Sequence, residues 1–137
     1  MEKPRVGDRA SLAKVISPED VRAFAGAVGD HNPVHFDEAY ASTTPFGRPV
    51  AHGMLVASLI SAVIAGKLLG PGSVYLSQSL RFSAPVFPGE TVTATVTVTG
   101  VRERRGVYTL ETVCANAQGV EVVSGEAVVL WRGGTGD

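Results

Sequence analysis

Two acid/base side chains lie five residues apart in one loop, Gly29-Asp30-His31-Asn32-Pro33-Val34-His35-Phe36-Asp37. The imidazole of His35 titrates near neutral pH, and a neighbouring carboxylate such as Asp30 can tune it, so the pair has the chemistry of a general acid/base. A plainer interpretation is that Asp30 caps a turn and His35 is a hydrogen-bonded interior histidine. Residue types and spacing leave both interpretations open.

His31 and His35 also have a spacing that would place two metal ligands on one face of a helix. Pro33 interrupts such a helix and keeps Asn32 out of the α region. No cluster of cysteines and histidines elsewhere in the chain supplies further ligands. We therefore expect an extended loop without a metal ion. In it, His31 faces solvent or is structural, and Asn32 and Pro33 are scaffold of the site.

A second candidate feature is the dipeptide His52-Gly53 at the start of a long apolar segment. The first N–H groups of a helix are unpaired and lie at the positive end of its dipole. A glycine there lets a carbonyl oxygen approach the backbone N–H, which is how an oxyanion site is built. Alternatively, Gly53 only relieves crowding and His52 belongs to the cap region.

The elements that would position these residues begin with two helices. Ser17 is a good N-cap, Pro18 suits the first helical position, and the helix should end near Gly29. The second helix is predicted at about 53–68, where the pattern is apolar almost all round, as in a helix buried on most sides.

The rest of the chain has the pattern of strands. One strand is predicted over 74–82, and residues 91–99 alternate Thr with Val or Ala, the period of a half-buried strand. Two more strands are predicted over 107–117 and 120–131. Long antiparallel strands with one apolar helix imply a curved sheet wrapped around that helix, in a single α+β domain.

Composition excludes several classes of protein. A length of 137 residues with 45% hydrophobic side chains fits one globular domain, and a net charge of −1 argues against nucleic-acid binding. The single Cys114 excludes an intrachain disulfide framework and fits a reducing compartment. No signal-peptide pattern opens the chain, and its most apolar run is too short for a membrane span. We expect a cytoplasmic protein that binds neither nucleic acid nor membrane.

Two stretches of the chain resemble the signature of the MaoC-like (R)-specific enoyl-CoA hydratases. Residues 24–41 contain the Asp-x-Asn-Pro-x-His pattern, and residues 46–54 read Phe-Gly-Arg-Pro-Val-Ala-His-Gly-Met. The likeness extends over nearly the whole chain. It implies a hot-dog fold over residues 1–137, with an overhang at about 29–49 and the central helix at about 53–68. It also implies a homodimer with substrate tunnels at or near the subunit interface.

The resemblance further implies an activity, the reversible addition of water to trans-2-enoyl-CoA to give (R)-3-hydroxyacyl-CoA, without metal or other cofactor. Asp30 and His35 would be the catalytic pair that activates one water, and the Gly53 N–H would bind the thioester oxygen. From helical spacing, Ser61 and Ile64 are expected to line the acyl pocket.

Other functions stay open at this stage. The reverse reaction on an acyl-carrier-protein substrate is one alternative, and a basic patch near the tunnel mouth would favour it. A hot-dog thioesterase would also use a helix N-terminus and a carboxylate, but would not need His35 at this spacing. An acyl-CoA-binding module would bind without turnover. The sequence pattern indicates neither a preferred acyl chain length nor whether hydration or dehydration is the physiological direction.

Overall fold

The computed structural model describes residues 3–133, which form one antiparallel sheet around one long helix. The sheet runs in the order β1-β4-β5-β6-β2, with β3 also paired to β6. The strands are β1 (Arg9–Val15), β2 (Val74–Gln78), β3 (Arg81–Phe82), β4 (Thr91–Arg102), β5 (Val107–Asn116) and β6 (Glu121–Leu130). The helices are α1 (Pro18–Val28), α2 (Glu38–Ala41) and α3 (Gly53–Val63), which continues as a π-helical turn (Ile64–Leu68).

Strand β4 explains how the sheet makes a core. Its valines and alanine at every second position are buried, while the threonines between them stay half-buried. This confirms the predicted period of two. Irregular pairings interrupt the ladders between β4 and β5 and between β5 and β6, and such bulges bend strands. The sheet therefore curves, and its concave face packs on α3.

Helix α1 begins and ends where local signals predict. The Ser17 hydroxyl accepts a hydrogen bond from the Asp20 N–H (3.1 Å), and the Asp20 carboxylate accepts one from the Ser17 N–H (3.0 Å). Both bonds together form a capping box. At the other end Gly29 has a φ of 84°, which glycine adopts without a steric penalty. The chain is thus turned out of α1 directly into Asp30.

Helix α3 lies at the predicted place, but one of its faces is open. Leu59, Ile60 and Val63 are among the buried residues that face the sheet. The opposite face is exposed, so the prediction of burial on most sides is wrong for the single chain, because the sheet covers only one side. The exposed residues of α3 and its π-helical turn are Gly53, Met54, Ser58, Ser61, Ala62, Ala65, Gly66 and Lys67. Within residues 3–133, no helix is long and apolar enough to cross a membrane.

The single strand predicted over 74–82 is instead two strands, β2 and β3. Between them the Ser79 N–H donates to the Glu126 carbonyl, and the Ser79 carbonyl passes close to Gly125. A Cβ at Gly125 would collide with that carbonyl oxygen. Because Gly125 in β6 has no side chain, the backbone at Ser79 can pass close to it, and this close approach separates β2 from β3. The residue pattern of 74–82 does not indicate the interruption.

Candidate active site

The loop after α1 is held by its own polar side chains. The Asp30 carboxylate accepts a hydrogen bond from the Asn32 N–H (3.2 Å), and the Asn32 side-chain oxygen accepts one from the Val34 N–H (3.1 Å). Asn32 is extended, as the following proline requires, but Pro33–His35 form a single 3₁₀ turn. The expectation of an extended loop is wrong here, because proline suits the first position of a helical turn that Asn32 caps.

The ring of His35 is anchored through one nitrogen. Its Nδ1 lies 2.7 Å from the Val50 carbonyl oxygen. A carbonyl only accepts, so Nδ1 carries the hydrogen and Nε2 of the neutral ring keeps its lone pair. Burial lowers the pKa of His35 below its usual value, and the neighbouring His52 acts in the same direction. His35 is therefore held as a neutral imidazole with Nε2 available as a base.

His52 connects three parts of the molecule. It is 2% exposed, stands at the N-cap of α3 and donates from Nε2 to the Asp30 carbonyl (3.0 Å). Its ring stacks on that of His35, with centroids 3.8 Å apart and planes inclined by 29°. The Phe24 ring of α1 lies 4.9 Å from it on centroids. His52 thus ties α1 and the Asp30 loop to the start of α3.

These contacts gather the acid/base groups. One carboxylate oxygen of Asp30 and one ring nitrogen each of His35 and His52 lie within 4.8 Å of one another. In the described part of the chain, no hydrogen bond or ion pair joins Asp30 directly to His35. A gap of this size is the span that a single water bridges with two hydrogen bonds.

The same three residues have metal-ligand types, and their spacing alone is compatible with a bound ion. The orientation of the two rings opposes it. His35 Nδ1 and His52 Nε2 are both committed to backbone carbonyls. Each remaining lone pair lies in the plane of its own ring, and the two planes are stacked 3.8 Å apart with an inclination of 29°, an arrangement that disfavours coordination of one ion by both rings.

A cavity of about 530 Å³ opens beside this cluster. Its lining is apolar apart from His35, Ser83 and the backbone of Gly53, the first residue of α3. No side chain caps the first turn of α3, so its N–H groups are directed outward at the positive end of the helix dipole. A Cβ on Gly53 would lie 2.7 Å from the Phe82 ring, so any larger residue requires that ring to move.

The structure separates the residues that the sequence singled out. Asp30, His35, His52 and Gly53 come together, with Asn32 and Pro33 in the supporting loop. His31 is exposed. Neither Ser61, which is exposed on the outer face of α3, nor Ile64, which is 3% exposed in the core, lines the described cavity.

Three residues of the candidate site were given no individual role from the sequence, although two of them lie in the motif at 46–54. Val50 acts through its carbonyl, which every residue type has. Phe46 and Phe82 line the cavity from segments distant in the chain. A backbone acceptor or a packed aromatic ring becomes recognisable only when the fold brings it to the site.

A curved antiparallel sheet around one central helix, with acid/base residues at the start of that helix, defines a hot-dog fold protein. Residues 4–118 match the model of the MaoC like domain, and the chain belongs to this family.

Individual relatives cover nearly the whole chain. It is 51% identical over 129 residues to the (R)-specific enoyl-CoA hydratase of Rhodospirillum rubrum, which covers 94% of this chain and 89% of the relative. The solved (R)-hydratase from A. caviae involved in PHA biosynthesis superposes with a TM-score of 0.91 at 46% identity, covering 96% of this chain and 100% of that one. The mitochondrial 3-hydroxyacyl-[acyl-carrier-protein] dehydratase of Arabidopsis thaliana is 36% identical, over 92% of this chain and 76% of the relative.

Proposed function

We propose that this chain is a hydro-lyase, an (R)-specific enoyl-CoA hydratase that adds water reversibly to trans-2-enoyl-CoA and yields (R)-3-hydroxyacyl-CoA. The observation that carries the proposal is the approach of the Asp30 carboxylate and the His35 imidazole within 4.8 Å, beside the Gly53 N–H, at an apolar cavity. The relative from Rhodospirillum rubrum, which shares half of its residues with this chain, is named for that activity.

In the proposed mechanism, Asp30 and His35 hold one water between them. His35 Nε2 accepts a proton from that water while the water oxygen bonds to C3 of the enoyl group. The Asp30 carboxylate accepts a hydrogen bond from the other O–H of the water and so orients it, and this O–H becomes the hydroxyl on C3. The imidazolium then returns a proton to C2, and His35 is neutral again. Atoms balance as one hydroxyl on C3 and one hydrogen on C2.

Attack at C3 moves negative charge to the thioester oxygen, and the start of α3 is suited to receive it. The Gly53 N–H would donate to that oxygen, with the positive end of the helix dipole behind it. Donors aimed at developing charge matter most in the transition state, and removing one typically costs about 2.7–4 kcal/mol. Asn32, Pro33 and His52 would act as scaffold by fixing the two partners of the water.

The test is hydration of crotonyl-CoA by the wild type and by Asp30→Asn and His35→Gln, with chiral analysis of the product. Both substitutions keep a polar side chain that can hydrogen-bond but remove the ionisable group. We expect folded protein with activity lowered by at least about a hundredfold, in line with the usual contribution of general acid/base groups. His31→Gln is the matched control, since His31 is an exposed histidine of the same loop. Full activity in Asp30→Asn or His35→Gln would disprove the assignment.

A (3R)-hydroxyacyl-[acyl-carrier-protein] dehydratase is the second candidate, and the named relative from Arabidopsis thaliana supports it at lower identity. Apart from Arg48, which is a single exposed cation near the cavity, a basic cluster that could receive a carrier protein lies elsewhere, and this favours CoA. Lys3, Arg5 and Arg9 form a basic cluster against Leu68, at the opposite end of the central helix from Gly53. Sixteen helical residues span roughly 24 Å, so this cluster is far from the cavity within one chain.

Comparing hydration rates on crotonyl-CoA and on crotonyl-acyl carrier protein decides between the two substrates. The same reactions, followed with a thiol reagent, test for a thioesterase, which would release free thiol. An acyl-CoA-binding module would bind crotonyl-CoA and turn over neither substrate. We expect faster hydration of crotonyl-CoA and no thiol release.

We also infer a homodimer. Strand β2 lies at one end of the sheet, and its apolar side chains are exposed: Val74 by 56%, Tyr75 by 40% and Leu76 by 55%. An apolar edge strand of this kind invites pairing with another chain. Light scattering after size exclusion should give twice the chain mass of 14.2 kDa, and Leu76→Lys should shift the assembly toward monomer.

Three broader assignments complete the proposal. Residues 1–137 would form one domain, supported by a single buried cluster that joins the sheet and α3, although residues 1–2 and 134–137 lie outside the described part. Residues 29–49 would be the overhang that supplies Asp30 and His35. A cytoplasmic location is supported by the buried, unpaired Cys114. Fractionation of the host cell tests the location.

A further inference from the structure

The guanidinium of Arg48 lies over the ring of Phe87, 3.8 Å from the ring centroid. Neither residue lines the cavity, but their neighbours in the chain do. Phe46 and Val50 flank Arg48 at a distance of two residues, and Val86 precedes Phe87; all three are lining residues. The stacked pair is therefore held at the rim of the cavity that contains His35.

The charge of Arg48 has no counterion there. Across residues 3–133, the ion pairs are Lys14–Asp20 and Arg22–Glu19, and no hydrogen bond of the Arg48 side chain is formed. Glu90, three residues after Phe87, accepts a hydrogen bond from the Phe87 N–H at 2.7 Å and forms no ion pair with Arg48. Arg48 thus presents an exposed guanidinium that is not ion-paired within the described residues.

Stacking orients that charge for a particular kind of ligand. A guanidinium uses its flat face on an aromatic ring, which leaves the N–H groups along its edge free to point outward. That edge matches the oxygens of a phosphate, which it binds through two parallel hydrogen bonds. Because Phe87 already holds the side chain in place, less conformational entropy is lost on binding than for a freely moving arginine.

Arg48 is close in the chain to residues of the proposed catalytic site. Val50, whose carbonyl holds His35, is two residues away, so the two Cα atoms are at most about 7 Å apart. A thioester bound at Gly53 extends its pantetheine arm out of the cavity. The described lining contains no arginine or lysine, so a phosphate on the far end of that arm meets its first cation at the rim.

We propose that Arg48, supported by Phe87, binds a phosphate group carried at the end of the pantetheine arm of the thioester substrate. The inference rests on the proposed function, because it presumes a thioester bound at Gly53. It assigns Arg48 to substrate affinity and not to the chemical step. Coenzyme A and phosphopantetheine both carry a phosphate at the end of the pantetheine arm. Assays with thioesters of each distinguish which of them Arg48 recognises.

The experiment compares three crotonyl thioesters that differ only beyond the pantetheine arm: CoA, 4′-phosphopantetheine and pantetheine, the last of which has no phosphate. For Arg48→Gln we expect KM for crotonyl-CoA to rise about tenfold with kcat within twofold of the wild type, the size of one lost charged hydrogen-bonding group. KM for crotonyl-pantetheine should stay unchanged. A rise with crotonyl-phosphopantetheine would identify the phosphate nearest the arm; a rise with CoA alone would identify a phosphate of the nucleotide.

Further variants separate binding from folding. Arg48→Lys keeps the charge without the planar edge and should give an intermediate KM, and Phe87→Leu should give a smaller rise than Arg48→Gln. Arg105→Gln, in the exposed turn between β4 and β5, is the control for loss of one surface charge and should leave KM as in the wild type. The inference is overturned if Arg48→Gln alters KM equally for the CoA and pantetheine thioesters, or for neither. A wild type that hydrates none of the three thioesters would instead contradict the proposed function.

Discussion

The imidazole rings of His35 and His52 are stacked, with centroids 3.8 Å apart. Each ring is also anchored by one N–H, His35 to the Val50 carbonyl and His52 to the Asp30 carbonyl. These three contacts fix the plane of the His35 ring, its tautomer and its distance from Asp30. The stack therefore makes His52 a positioning residue for both members of the proposed pair.

Removing the Nε2–H of His52 should lower activity although Asp30 and His35 are both still present. In His52→Phe a ring face remains against His35, but the Asp30 carbonyl loses its donor. We expect kcat/KM on crotonyl-CoA to fall roughly tenfold, because the loss of one hydrogen bond is worth about 0.5–1.5 kcal/mol. His31→Phe adds the same ring at an exposed position and should have no effect. Equal activities of the two variants would contradict the positioning role.

Acid should reduce activity through His35. Burial lowers the pKa of His35, and the nearby His52 acts in the same direction, whereas the Val50 carbonyl and Asp30 oppose the shift. Because the neutral ring is the proposed base, kcat/KM should fall along a limb whose midpoint lies below pH 6.5, the ordinary pKa of histidine. The pH profile of kcat/KM measures it, and a midpoint above 6.5 would be inconsistent with a buried neutral His35.

The same group should couple stability to pH. The unfolded chain takes up a proton on His35 near pH 6.5, whereas the folded protein takes it up only at the lowered pKa. This contribution to the free energy of unfolding is fully present above pH 6.5 and is lost as the pH falls through the lowered pKa. Urea unfolding gives the free energy of unfolding of the wild type and of His35→Gln. The advantage of the wild type should become smaller as the pH is lowered from 6.5 through the lowered pKa of His35. If the advantage of the wild type in free energy of unfolding became larger below pH 6.5, the predicted pH dependence would be wrong.

A methyl group at Gly53 should block the proposed oxyanion donor. The added Cβ would lie 2.7 Å from the Phe82 ring, so the ring must move, and it moves at the wall of the cavity. We expect Gly53→Ala to lower kcat/KM by roughly a hundredfold, the low end for loss of an oxyanion donor. Adding Phe82→Ala should restore part of the activity, because the crowding partner is gone. Undiminished activity in Gly53→Ala would exclude a close approach of substrate at this position.

The capping box of α1 predicts a change in stability without a change in chemistry. Hydrogen bonds from the Ser17 N–H and Lys14 lower the pKa of Asp20, which shows that the ionised carboxylate is stabilised in the folded state. Ser17→Ala should lower the free energy of unfolding by about 1 kcal/mol in urea titrations and leave kcat/KM unchanged. Arg22→Ala, which breaks an exposed ion pair of the same helix, should have a smaller effect. If Arg22→Ala lowered the free energy of unfolding more than Ser17→Ala does, the capping box would not be the stronger of the two interactions.

Local rules accounted for much of this molecule. The bounds of α1 depend on Ser17, Pro18 and Gly29, all within or beside the helix. Strand β4 is recognisable because threonine alternates with valine or alanine along its own length. The loop containing Asp30 and His35 was likewise recognisable because its residue types lie close together in the chain. The sequence by itself therefore determined most of the elements and the candidate chemical groups.

Only the tertiary structure decided how those groups work together. The tautomer of His35 depends on the Val50 carbonyl, the ring position depends on His52, and the break before β3 depends on Gly125 in another strand. The open face of α3 is also a property of where the sheet stops. These features rest on contacts between residues far apart in the chain, many of them through backbone atoms that every residue carries. Side-chain pattern alone cannot encode them, because the contacts exist only after the sheet has curved around α3.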